Sequence, residues 1–166
     1  MFRETTMREL NTSPVKMIAE DWALLTAGNL SAFNTMTVSW GGVGELWGKD
    51  VAFVFVRPQR YTYEFMENSE YFTLSFFGGE YKKELGICGA KSGRDVDKCK
   101  ETGLVPTAAE QAVAFEQAKT VLVCRKVAFQ DIDPKGFIDP SIMDTYAAKD
   151  YHRMYVGVIE KVLVAE

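Results

Sequence analysis

The sequence predicts a mainly β domain, a β-barrel with a few helical insertions. Apolar, β-branched and aromatic runs of strand length recur along it, closed by glycine, proline or asparagine turn signals. Helix-like segments fall only at some of the connections, so strand and helix do not alternate as a doubly wound parallel sheet requires. At 166 residues the chain suits one domain, residues 1–166, with enough length to bury a sizeable core.

In chain order, residues 15–19 (VKMIA) predict a short apolar strand and 22–27 a second, which ends at the turn pair Gly28-Asn29. Residues 33–40 alternate at strand period: Thr35, Thr37 and Ser39 share one face, and Asn34, Met36, Val38 and Trp40 the other. Gly41, Gly42 and Gly44 predict a hairpin turn, and 49–56 predict the next strand, whose VAFVFV run marks it as buried. Pro58 suits the first turn of a helix, which 61–67 would form with Tyr61 and Phe65 inward. The aromatic run 71–77 predicts a strand stopped by Gly78-Gly79, and 80–85 a short helix. Three glycines make GICGAKSGRD, 86–95, a predicted loop, followed by a short helix over 95–101 that ends at Gly103. Residues 107–117 have helix-favouring composition but also admit extended chain. A long strand follows over 120–132, then a helix over 140–148 with Asp139 as its cap and Pro140 at its first position. The last segment, 151–164, is β-rich.

Composition narrows the function. A net charge of −4 argues against a general nucleic-acid binder, which needs a basic surface, but leaves room for a local basic pocket. The longest purely apolar run, 51–56, is far too short to span a bilayer, and the N-terminal residues show no apolar signal core. Cys88, Cys99 and Cys124 form no CxxC pair, so they are expected to be reduced thiols in a cytoplasmic protein. With one histidine and no zinc-type spacing, no metal site is expected. The 11 Phe, 7 Tyr and 3 Trp exceed what a core alone asks for and suit a site that stacks on a flat ring.

Four stretches could carry chemistry. Arg57 and Arg60 stand where a strand gives way to a helix, whose N-terminus offers free N–H groups and the positive end of a dipole. An arginine there can fork onto a phosphate, and the hydroxyls of Thr35, Thr37 and Ser39 could complete the cage; a surface arginine pair beside an exposed edge strand fits the same residues. The glycine run fails as a dinucleotide fingerprint, because Trp47 stands where GxGxxG needs its last glycine, and it lacks the GK[ST] of a P-loop. The loop holding Cys88, Lys91, Ser92 and Arg94 either lets a ligand approach its backbone or is an ordinary solvated loop. His152 is the only side chain with an ordinary pKa near neutrality; it could serve a redox ring or be structural. Cys88 is either redox-active or buried and inert.

Together NTMTVSWGGVGELWG, VAFVFVRPQRYTYEFME, YFTLSFF, ELGICGAKSGRDVDKCKETGL and DYHRMYVGVIEKV resemble the flavin reductase-like, FMN-binding split-barrel family, in particular its flavoredoxin branch. The resemblance runs from about Trp22 onward and is weak over 107–148. It implies a Greek-key split barrel that forms a homodimer and holds FMN without a covalent bond. The flavin would lie along Asn34, Thr35, Met36, Thr37, Val38 and Ser39, with Phe55 close by. The turn bearing Arg57, Arg60, Tyr61 and Thr62 would hold the phosphate, with Cys88, Lys91 and Ser92 as further contacts. His152 would lie near the ring or substrate pocket as a candidate catalytic residue. The function implied is an oxidoreductase passing electrons from NAD(P)H or a redox protein through FMN to a flavin or protein acceptor. One departure matters: bulky Trp40 stands where many members of the family carry proline or a small residue. That keeps a second function open, an electron carrier with no nicotinamide site of its own, and a non-redox binding barrel is a third.

Overall fold

A computed structural model describes all of residues 1–166. Its strands are β1 (Phe2–Thr5), β2 (Ala23–Asn29), β3 (Ala32–Val38), β4 (Gly41–Leu46), β5 (Lys49–Val56), β6 (Tyr71–Phe76), β7 (Pro106–Ala109), β8 (Ala112–Phe115), β9 (Thr120–Asp131) and β10 (Arg153–Ala165). Three α-helices, α1 (Tyr61–Asn68), α2 (Lys82–Ala90) and α3 (Lys98–Thr102), occupy connections between strands. The fold is mainly β, as the sequence predicts.

Every pairing is antiparallel, in the order β3-β2-β6-β9-β10-β5-β4, with β1 added to the far end of β10 and β7–β8 as a separate hairpin. The two ends of this sheet, β3 and β4, are consecutive in the chain and are joined by Ser39 and Trp40 alone. The barrel is therefore closed by a covalent link but not by hydrogen bonds, and the split runs along the free edge of β3. Curvature comes from the long strands: β10 shifts register against β9 at Val156/Gly157 and at Ile159/Lys161. Gly157 is needed there, because a Cβ would stand 2.5 Å from Phe72 Cζ and 2.9 Å from Cys124 Cβ.

Alternate residues of β2 and β9 feed two cores. Leu25, Leu122 and Cys124 join Met36, Val54, Phe72 and Tyr155 inside the barrel. Leu24, Val121 and Val123 join Leu85 of α2 and Phe115 of β8 outside it. Both faces of these strands are buried, so they read as unbroken apolar runs rather than as alternating ones.

Several predicted elements change. Residues 15–19 are not a strand: Lys16–Asp21 forms a π-helical turn, stapled by Lys16 Nζ on Asp21 at 2.7 Å, with Met17 and Ile18 buried beneath it. The glycines at 41, 42 and 44 lie in strand β4, and the hairpin turn falls later, at Trp47-Gly48, where both φ angles are positive as a two-residue hairpin requires. The first half of the glycine-rich stretch 86–95 is not a loop, because α2 continues to Ala90. At 107–117 the chain forms the β7–β8 hairpin, and the helix expected over 140–148 is a 3₁₀ segment, Pro140–Tyr146, capped by Asp139. Strand β1 has no counterpart in the sequence reading. No helix is long and apolar enough to cross a membrane, and no group of three His, Cys, Asp or Glu side chains is placed to hold a metal ion.

Candidate functional site at the split of the barrel

Beside a larger cavity of about 600 Å³ at Ala32–Thr35, two adjoining cavities open along the free edge of β3. The first, of about 250 Å³, is lined by Met36, Thr37, Val38, Ser39 and Trp40, with Phe55, Arg57, Arg60 and His152 opposite. Antiparallel register sets the far wall: Arg153 pairs with Val56, so the residues one step further out, His152 and Arg57, lie side by side. The second cavity, of about 160 Å³, is lined by Asn34, Arg60, Tyr61, Thr62, Lys91, Ser92 and Lys98, among others. Arg60 borders both cavities. Side chains from both faces of β3 line the first one because a strand edge with no partner presents its backbone and both alternating sets at once.

The second cavity is bordered by two cations that no carboxylate neutralises. Arg60 is the residue before α1, and its guanidinium has no hydrogen-bond or ion-pair partner in the protein; burial lowers its pKa. The amides of Tyr61 and Thr62 begin α1 with no backbone acceptor, so they point out of the helix end. Lys98 is only 6% exposed and donates to Thr35 O and Cys88 O, both at 2.7 Å. Burial brings the Lys98 pKa down to about 8; Cys88 opposes this, and Arg60 adds to it. Neither cation faces a carboxylate, whereas neighbouring Lys91 is paired with Glu101 at 2.5 Å and Arg94 with Glu64. Gly93 crosses so close to Asn34 that a Cβ would sit 2.0 Å from its Oδ1, and Gly89 packs on Thr37.

The first cavity is aromatic and holds a neutral imidazole. The His152 ring lies 5.3 Å from the ring of Trp40 and 6.4 Å from that of Phe55, and its Nδ1 is 2.7 Å from the Tyr146 hydroxyl. Burial pulls the His152 pKa to about 4, the Arg57 charge helps, and the Asp150 carboxylate opposes. Arg57 is committed elsewhere: it donates to Asp150 Oδ2 at 2.5 Å and to Thr145 O at 3.0 Å.

The sequence profile of the flavin reductase like domain matches residues 16–166. The chain belongs to the flavin reductase-like family. Its fold is similar to that of flavoredoxin from Desulfovibrio vulgaris (Miyazaki F), with a TM-score of 0.69 at 18% identity over 99% of this chain and 78% of that one. Flavoredoxin from Methanosarcina acetivorans is similar at a TM-score of 0.65 and 23% identity, over 88% of this chain and 69% of the other. The FMN-binding domain of a flavin reductases-like enzyme from Shewanella baltica OS155 gives 0.69 at 13% identity, over 99% and 77%. At these identities the likeness is one of fold, a split barrel. No curated protein matches the chain.

In this flavin reductase-like domain most of the residues singled out from sequence meet at the split. Met36, Thr37, Val38, Ser39, Phe55, Arg57, Arg60 and His152 share the first cavity; Asn34, Tyr61, Thr62, Lys91 and Ser92 share the second. Thr35 lines only the larger cavity next to these two, and Cys88 lines none of the three. The Thr35 hydroxyl pairs with Thr26 across the β2–β3 ladder at 2.9 Å, and Cys88 is buried with its thiol pKa pushed up to about 11. The Thr37 hydroxyl donates to Leu85 O at 2.5 Å. Sequence reasoning missed Lys98, Tyr146 and Asp150. No local signal marks Lys98, which the fold alone turns inward to bond Thr35 O of β3 and Cys88 O of α2.

Proposed function

We propose that this protein is an FMN-dependent oxidoreductase with the cofactor held at the split of the barrel. The observation that carries this is the pair of uncompensated cations, Arg60 and Lys98, at the start of α1 beside the open edge of β3 in a flavin reductase-like domain. Arg60, the Tyr61 and Thr62 amides, Ser92 and Lys98 would hold the phosphate. The β3 edge from Met36 to Ser39, with Phe55 and His152, would hold the ring. Bound there, FMN supplies hydride and one-electron transfer, while the protein orients it and tunes its potential. Arg57 lines the same cavity, but Asp150 already neutralises it, so the phosphate falls to Arg60.

The electrons come from NAD(P)H or a redox protein and pass to a flavin or protein acceptor. A homodimer in the cytoplasm is the setting that the resemblance and the three unpaired cysteines support. A second reading, an electron carrier with no nicotinamide site, is favoured by Trp40: it is 53% exposed and stands over the cavity beside His152. The absorption spectrum of the purified protein, followed by stopped-flow mixing with NADH and NADPH, tests both. A flavin spectrum bleached by either nucleotide supports the reductase. A flavin spectrum untouched by both supports the carrier, and a colourless protein that takes up no FMN overturns the cofactor assignment.

A further inference from the structure

We propose that residues 139–150 form a strap, clasped by Arg57 and Asp150, that uses Tyr146 to present His152 to the first cavity as an Nε2–H donor. Arg57, Tyr146 and Asp150 are then positioning residues, acting through His152. What the donor meets in the cavity rests on the FMN reading; the arrangement of the strap does not.

The strap has little core of its own. Its residues from 141 to 149 are exposed except Tyr146, which is 4% exposed, and Ile138 is 98% exposed. Its hold on the barrel is polar and concentrated at one point. Asp150 Oδ2 accepts from Arg57 at 2.5 Å and from Gln59 at 2.6 Å, and Arg57 also donates to Thr145 O. The Arg57 guanidinium lies 5.2 Å from the centre of the Tyr146 ring, a cation–π contact, and Phe137 stacks on Tyr146 at 5.9 Å with 19° between the planes. Lys149 N returns to Tyr146 O at 2.8 Å and closes the turn before Asp150. These contacts leave Tyr146 one place to put its hydroxyl, 2.7 Å from His152 Nδ1.

The charged and titratable groups around the imidazole are Arg57, Asp150 and Tyr146, with Arg60 across the same cavity. With two arginines and a buried phenol facing it, the ring stays neutral at pH 7. A neutral imidazole carries one proton, and the partner of one nitrogen decides which nitrogen has it. The Tyr146 hydroxyl has no other acceptor in the protein, so it donates to Nδ1 and leaves the proton on Nε2. That nitrogen makes no hydrogen bond to the protein, and the ring lines the cavity between Trp40 and Phe55. With the strap open, neither the tautomer nor the angle of the ring would be held.

His152 is the only histidine, so ¹⁵N-histidine NMR of the full chain reads its tautomer and titration without assignment work. The wild type is expected to show the Nε2–H tautomer and an imidazole that stays neutral well below pH 6. Tyr146→Phe is expected to yield a mixture of tautomers. Asp150→Ala is the decisive variant because two causes have opposite signs. The carboxylate by itself favours the imidazolium, so a purely local charge effect would lower the histidine pKa further. Opening the strap hydrates the ring and raises it toward the ordinary value, which is the expected result, with loss of the single tautomer. Asp150→Asn, of equal volume, carries the same expectation if the alanine variant folds poorly, and Ile142→Ala on the strap's exposed side should leave the spectrum as it is. A downward or absent shift in the Asp150 variants, or an unchanged tautomer in Tyr146→Phe, overturns the proposal. FMN titration of the same samples separates the two assignments: a wild type that binds no FMN removes the cofactor and leaves the imidazole result standing.

Discussion

Arg57 and Arg60 look equivalent in RPQR, yet the structure divides their work. Arg57 sits beside Asp150, 93 residues further along the chain, because β5 and β10 pair. Arg60, one turn on, faces the second cavity with nothing to neutralise it. Arg60→Ala should therefore weaken FMN binding about 10- to 100-fold, the loss of a charge-assisted hydrogen bond or two. Arg57→Ala should weaken it much less; equilibrium titration of the two variants compares them directly. Lys98 adds a pH dependence. Its pKa is depressed to about 8, so its charge, and its help with a phosphate, fades as pH rises through that value. FMN affinity should decline from pH 7 to pH 9 in the wild type and stay flatter in Lys98→Met, as fluorescence quenching of the flavin would show. The hydroxyl ladder of β3 was legible as unusual, but what it holds was not. Thr35 and Thr37 bond to the protein itself, and the ladder's place beside the cavities comes from the free edge on which it stands.

Among the elements, the ones legible in the sequence are those whose local pattern and tertiary role agree. Strands β2, β5, β6, β9 and β10 and helix α1 fall close to their expected bounds because apolar runs, Pro58 and the turn glycines all point the same way. Glycine misled where it serves close packing instead of turning the chain. In β4, Gly41 lies so near Phe53 that a Cβ would be 2.4 Å from its carbonyl oxygen, and in α2 Gly89 lets the helix approach Thr37. The same property makes Gly157 a test of the barrel's curvature. Gly157→Ala would press on Phe72 and Cys124 at the bulge and should destabilise the fold by about 1–3 kcal/mol or more, measured as a lower urea midpoint at unchanged slope. A neutral result would mean that β10 shifts freely against β9. Residues 15–19 were misassigned and 107–117 stayed open between helix and strand for a shared reason: short apolar stretches suit either until a partner is present, and the neighbours that decide are distant in sequence.

For the molecule as a whole, the candidate site lies where the barrel fails to close. Elements on both sides of the split, β3 and α1 on one and the ends of β5 and β10 on the other, contribute to the two cavities, so a ligand there ties together parts that the sheet leaves unpaired. FMN at 100 times its dissociation constant should raise the unfolding free energy by about 2.7 kcal/mol and shift the thermal midpoint by several degrees. In Arg60→Ala the shift at the same FMN concentration should shrink, and a midpoint indifferent to FMN would argue against binding at the split. By itself the sequence determined that the chain is mainly β, that it carries arginines at a strand-to-helix turn, and that its blocks are those of the flavin reductase-like family. Period, turn residues and local motifs carry that information, because each is set by neighbours a few positions apart. Only the tertiary structure decided that Arg57 is paired and Arg60 free, that Lys98 is buried at the edge of β3, and that Tyr146 holds His152. Each of those outcomes depends on the register of paired strands and on desolvation, which bring together residues that are remote along the chain.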